Sequence, residues 1–281
     1  MTIHFKPEVK IIADSLNCGG DRLTTFQLKY WRPLLPEMNT HRVFSRNASS
    51  SRAAGTERMF EEVMNEIWLP KHWNAEQKGM QGGEEFDPDT QAIIDQEICE
   101  LSSFVVDRLK TLDERVRRRT GMHIHKQYLN RYTEPFRAVN QLVSSTDWDN
   151  FFKLRTSSLA QPEMQDLALD MYILLNNSEP KWLKEGELHL PYVTEQEKQK
   201  YDVGILAKIS TARCARVCYK PYEGNTTLEK DIALHDQLLA NGHMSPFEHV
   251  AMADGFGVAP NQWNNFTGWR QYRDFVKTAW Y

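Results

Sequence analysis

Apolar positions recur along this chain with two different periods, and each change of period marks an element. Residues 9–16 read as a strand that stops at Asn17, Cys18, Gly19 and Gly20, a flexible turn. The spacing after it predicts a helix over 24–31. Met59, Val63 and Ile67, four apart, predict a helix over 56–68, and a long amphipathic helix is expected over 90–119. A strand follows at 138–145. The next helix starts near Thr146, with Asp149 as capping partner and Trp148, Phe151, Phe152 and Leu154 turned inward. Another begins around Ala160, with Leu167, Met171 and Leu174 as its buried stripe. Residues 176–200 are polar and punctuated by proline and read as an extended excursion. Helices over 202–219 and 226–241, a strand over 250–256 and a final helix over 264–280 complete the pattern. No internal repeat is visible.

Composition narrows the class. With 281 residues, 41% hydrophobic, and with eight tryptophans and thirteen phenylalanines, the chain can bury a substantial core. A formal charge of −4 argues against a general nucleic-acid binder. Arg115, Arg117, Arg118 and Arg119 form the one strongly basic run, which reads as the solvated C-terminus of a helix, where cations complement the macrodipole. RNA contact there is the alternative. No apolar run approaches the ~20 residues that span a bilayer, and the N-terminus lacks the apolar core of a signal peptide, so a cytoplasmic chain is expected. Cys18, Cys99, Cys214 and Cys218 form no C-x-x-C pair and read as structural, with no metal site expected.

The densest chemistry lies at residues 40–52, which hold His41, Arg42, Ser45, Asn47, Ser49, Ser50, Ser51 and Arg52. Guanidinium forks bind phosphate bidentately and hydroxyls add short hydrogen bonds, so the cluster suits a nucleotide. A solvated loop with a helix cap is the plain alternative.

This stretch resembles the signature of the flavin-dependent thymidylate synthases, Arg-His-Arg-x-x-Ser-x-Asn-Glu-x-Ser-x-Arg. His41, Arg42, Ser45, Asn47, Ser50 and Arg52 match it, while Thr40 and Ala48 stand where an arginine and a glutamate are usual. His243, Ser245, Pro246, Phe247, Glu248 and His249 resemble the family's His-x-Ser/Thr-Pro-Phe-Glu-His block. Asn150 to Arg155, followed by Ala160, Gln161, Pro162 and Glu163, is similar to a third block, and Gln127, Asn130 and Arg131 to a fourth. Ser144 and Thr146 replace an Asn and an Arg often found before the third block. The blocks run in a permuted order, with the histidine block after the main signature.

The resemblance implies an α+β fold of the thymidylate synthase-complementing-protein type, a twisted antiparallel sheet flanked by long helices. It implies one domain over 1–281 with insertions at about 56–122 and 176–204. The implied reaction transfers a one-carbon unit from methylenetetrahydrofolate to C5 of dUMP, with FAD as cofactor and NADPH as reductant, in a homotetramer whose sites draw on several subunits. Arg155, Ser50 and His41 carry the catalytic roles. Substrate contacts fall to Glu37, Thr40, Ala48, Ser49, Ser50, Ser51, Arg52, Arg131 and Arg155, including backbone around Ala48 and Ser49. Flavin contacts fall to His41, Arg42, Ser45, Asn47, Asn150, His243, Ser245 and Glu248. None of the four cysteines has the setting of the nucleophile in classical thymidylate synthases. A relative that stops at a hydroxymethyl group and a non-catalytic nucleotide-binding protein are the alternatives.

Overall fold

The computed structural model describes residues 6–219, 224, 226–255 and 265–277. Its architecture is α+β, built on a five-stranded sheet ordered β3-β4-β2-β1-β5. The strands are β1 (Glu8–Leu16), β2 (Arg22–Trp31), β3 (Ser45–Ala48), β4 (Ala138–Ser145) and β5 (Lys181–Trp182). Every pairing is antiparallel except that of β5, which runs parallel to β1, so the sheet is mixed where an antiparallel one was expected.

β2 overturns the helix expected over 24–31. Phe26, Leu28 and Tyr30 alternate with Thr25, Gln27 and Lys29, a period of two that buries one face and leaves the other polar. The buried face packs under α5 (Asp149–Arg155) and α6 (Pro162–Asn177), where Trp148, Phe151, Phe152, Met164, Leu167 and Met171 complete the main core. At roughly 1.5–3 kcal/mol per buried large apolar side chain, that stripe outweighs any local helical preference. Two details of these helices differ from expectation. Leu154 is 51% exposed because α5 is only seven residues long and meets the core through Phe151 and Phe152. The α6 stripe passes from Met171 to Leu175, and Leu174 turns outward, as 3.6 residues per turn requires. The start of α5 is also shifted: the N-cap position is Trp148, without a side-chain cap, and Asp149 is the first helical residue.

Between β2 and β4 lie α1 (Leu35–Asn39), α2 (Thr56–Asn65), α3 (Pro88–Thr120) and α4 (Lys126–Leu129). α3 opens on an Asp87 cap that accepts from the amides of Asp89 and Thr90, and closes on left-handed Gly121. With α2 it forms a second core around Phe60, Val63, Val106 and Leu109. The excursion at 176–200 holds β5, β6 (Leu188–His189) and α7 (Glu195–Lys200). α8 (Val203–Arg216) and α9 (Leu228–Ala240) follow.

β6 joins β7 (Ala251–Ala253) and β8 (Trp269–Gln271) in a three-stranded antiparallel sheet ordered β6-β7-β8. The helix expected over 264–280 is therefore β8 followed by α10 (Tyr272–Lys277), while residues 264 and 278–280 lie outside the described residues, as does the end of the strand expected over 250–256. No described helix is long and apolar enough to cross a membrane.

Buried side chains stitch the two sheets together. Thr25 Oγ1 lies 2.6 Å from Ser144 Oγ and 2.8 Å from His189 Nε2, His189 Nδ1 lies 2.9 Å from Ser15 Oγ, and Ser144 Oγ lies 2.8 Å from His249 Nδ1. Burial holds both histidines near pKa 3. The unfolded chain takes up these protons near pH 6.5, so this stability is complete above that pH and is lost as pH falls toward 3. At about 1.4 kcal/mol per pH unit per histidine, unfolding free energy should drop by about 2–4 kcal/mol between pH 7 and pH 5. Urea midpoints at the two pH values check this, and identical midpoints would contradict it.

Candidate functional site

Residues 40–52, expected as one polar cluster, divide around β3. This short strand pairs antiparallel with β4, Ser45 opposite Ser144 and Asn47 opposite Leu142. Ser45 and Asn47 are buried and Arg46 and Ala48 half-buried, so alternation turns neighbouring signature residues in opposite directions.

Before β3, the end of α1 meets the end of α5. Arg155, in the last turn of α5, where the macrodipole favours a cation, reaches back across 114 residues of sequence. Its Nε donates to His41 Nε2 at 3.1 Å, one terminal nitrogen donates to Glu37 Oε2 at 2.8 Å, and the other to Thr40 Oγ1 at 3.3 Å. Four predicted residues, Glu37, Thr40, His41 and Arg155, thus converge. A guanidinium only donates, so His41 Nε2 carries the lone pair and the ring proton sits on Nδ1. The imidazole stacks on Phe44 and meets the edge of Phe151, with centroids 5.6 and 5.0 Å away. Desolvation, then Arg155 and Arg46, lower its pKa, which keeps the ring neutral. His41 is a buried support beneath Arg155 rather than an open base.

After β3, the serine loop is pinned from several sides. The Ser49 amide donates to the Asn140 carbonyl at 2.7 Å, and the Ser50 amide to that of Cys218 at 3.0 Å. The backbone donors expected to meet substrate are therefore already taken within the chain. Ser50 Oγ accepts from the Arg52 amide at 3.2 Å, and among the described residues no histidine or lysine bonds to it. Ser51 donates to Glu134, and Asn130 Nδ2 donates to the carbonyls of Ser51 and Ala54 at 2.7 and 3.2 Å. The Asn130–Phe136 turn thereby brings the segment of Arg131 onto the loop. Arg52 and Arg131 are exposed. Ala48 has no side-chain group with which to replace the usual glutamate.

The serine loop forms one wall of a groove of about 490 Å³. Its floor is the polar face of the large sheet, with Lys10, Gln27, Lys29 and Asn140, and its other walls bring Arg32, Arg58 and Arg137. Several of these charges are matched: Lys29 by Glu66 and Glu8, Arg32 by Glu134, and Arg58 and Arg137 by Glu62. Lys10 has no carboxylate partner among the described residues. Tyr192 closes the rim in a left-handed conformation, φ 62°, its hydroxyl donating to Gln27 at 2.7 Å. Sequence reasoning missed this floor. The signal was the polar alternation of β1 and β2, which a helical reading of β2 conceals.

The histidine block sits beside β3 as the 3₁₀ turn Ser245–Glu248. Gln271 ties the two together, donating to Ser45 Oγ at 2.8 Å and to the Glu248 carbonyl at 3.0 Å, while the Glu248 side chain pairs with Arg273. Ser45 and Glu248, both expected to touch flavin, are thus already engaged. Arg42, Asn150, His243 and Ser245 are exposed and make no side-chain hydrogen bonds among the described residues. Asn47 Nδ2 and His249 Nε2 are buried without partners among the described residues. Exposed donors for phosphate and an orphaned buried amide fit an anionic heterocyclic cofactor at this edge. The buried Cys214 has its thiol pushed up by desolvation, far from a reactive thiolate.

No family model matches the sequence, and no curated protein does. Among solved structures, the UMP/dUMP methylase PolB from Streptomyces cacaoi, bound with 5-Br UMP, aligns with 60% of this chain and 88% of its own, at 12% identity and TM-score 0.43. Its form bound with 5-Br dUMP aligns with 62% and 92%, at 10% identity and TM-score 0.45. Thymidylate synthase X from Helicobacter pylori, with FAD and dUMP, aligns with 54% and 66%, at 18% identity and TM-score 0.35. Each likeness is partial in length and in superposition.

Proposed function

We propose that this chain modifies C5 of a pyrimidine nucleotide, as a flavin-dependent thymidylate synthase acting on dUMP. The observation that carries the reading is the convergence of two separate sequence blocks, with Arg155 held by His41, Glu37 and Thr40. A guanidinium stays charged at any working pH, so Arg155 stabilises negative charge that develops on a ring carbonyl during reaction at C5. Its pairing with the partly exposed Glu37 opens at small cost, of order 0.2–1 kcal/mol, so a ring oxygen can replace that carboxylate. Neutral His41 keeps the guanidinium plane in place from below.

Arg52, Arg131 and the serine loop bind the nucleotide phosphate, with Ser50 binding rather than attacking. Arg42, Asn150, His243 and Ser245 hold FAD, beside Asn47. When bound, the flavin supplies the electrons that convert the transferred carbon to methyl, with methylenetetrahydrofolate as carbon source and NADPH as reductant. The proposed assembly is a homotetramer in the cytoplasm, in which neighbouring copies complete one another's sites.

Mass spectrometry of dUMP incubated with the protein, methylenetetrahydrofolate, FAD and NADPH tests the reading. Addition of a methyl group is expected. A hydroxymethyl adduct would move the assignment to a modifying relative, and unchanged dUMP with no flavin retained would indicate a nucleotide-binding protein without this chemistry.

A further inference from the structure

α3 has two apolar faces. One, through Val106 and Leu109, closes the second core, while Ile93, Leu101, Phe104 and Leu112 on the opposite side are 64%, 47%, 61% and 45% exposed. At 100° per residue these four fall within an arc roughly 100° wide, the width of a face that normally meets another element. One exposed leucine is ordinary, but four large apolar side chains exposed along one face of a solvated helix mark an interaction surface. A hollow of about 280 Å³ at Phe104, Leu112 and Tyr132 gives the stripe relief.

Charge along the same arc identifies the occupant. Glu97 and Glu100 lie in the N-terminal half, and Arg108 and Arg115 in the C-terminal half, all exposed. Phe104 is the middle residue of the 33. We propose that this face binds the α3 helix of a second copy of this chain, antiparallel, about a two-fold axis at Phe104. At ~1.5 Å rise per residue, that register sets Arg108 level with the partner's Glu100 and Arg115 one turn from the partner's Glu97. Leu112 falls between the partner's Ile93 and the partner's Leu101, so apolar side chains meet where the charges leave room. Parallel pairing would set each carboxylate and each guanidinium against its own copy, which is repulsive. The surface lies outside the residues assigned to catalysis and rests on no step of the proposed reaction.

Sedimentation analysis of the intact chain tests the pairing. The native protein should form an even-numbered assembly at micromolar concentration. Glu100→Arg should halve the assembled mass or weaken association about tenfold or more, since like charges then face each other across the axis. Glu100→Arg combined with Arg108→Glu should restore it, because the exchanged charges meet again. Both positions are exposed, so the variants should stay folded, which circular dichroism checks. A native monomer at 100-fold higher concentration, roughly 100 μM, a Glu100→Arg variant of unchanged mass, or a double variant no better than Glu100→Arg would each overturn the proposal.

Discussion

Arg155→Ala is expected to lower the rate of nucleotide modification about 100- to 1,000-fold while leaving the protein folded. That is the usual loss when one preorganised donor aimed at developing negative charge is removed. The structural cost is small by comparison, because the side-chain partners lost are Glu37 and Thr40, both at the surface, and the Nε2 lone pair of His41. Arg155→Lys should recover only part of the rate. A point charge can hold Glu37 or His41, whereas the planar fork reaches both while presenting a face to the ring. Turnover by each variant, measured beside its thermal melt, separates the roles. Native turnover in Arg155→Ala would remove this residue from the reaction.

The largest effect on stability is expected at Asp231, where α7, α8 and α9 meet. Its carboxylate is fully buried and accepts from Arg213 Nε at 2.9 Å, Arg216 at 2.8 Å and Thr226 at 3.0 Å, while Arg213 also grips Glu197 at 2.5 Å. Glu197, held down to about pKa 2 by Arg213, closes the capping box of α7, so the network links helix start to helix end. Asp231→Asn keeps the shape and removes the carboxylate that, among the described residues, both arginines share. Arg213 keeps Glu197 while Arg216 loses its carboxylate, so the urea midpoint should fall by the equivalent of about 3 kcal/mol, the lower end of the cost of breaking a buried pair. An unchanged midpoint would show that water reaches these arginines and screens them.

The pattern of the chain made some of this legible. The strand at 138–145 is β4 residue for residue, and the long helix expected over 90–119 extends by only two residues at its start and one at its end, because Asp87 and Gly121 are ordinary stop signals. β2 was hidden because its polar face, Gln27 and Lys29, lines a groove rather than open solvent, while Thr25 is buried in the polar joint and Thr24 against Asp14. Hydroxyl groups in a core blur the contrast on which periodicity depends. At the site, motif spacing gave the chemical types but not their commitments. That Arg155 meets His41 depends on Phe151 of α5 packing against His41 and Phe44, which no local spacing encodes. Nor does local spacing reveal that Ser45 is held by Gln271, 226 residues further along the chain.

The joint between the sheets has a consequence for how this protein can change. Ser15, Thr25, Ser144, His189 and His249 come from five separate segments, yet each is the hydrogen-bonding answer to a neighbour in the same sealed space. Losing one member strands a buried donor or acceptor, whereas exchanging matched neighbours for apolar groups of similar shape can be nearly neutral. The five therefore form a single unit of substitution: drift at any one position is blocked until its neighbours move with it, however far apart they stand in the sequence.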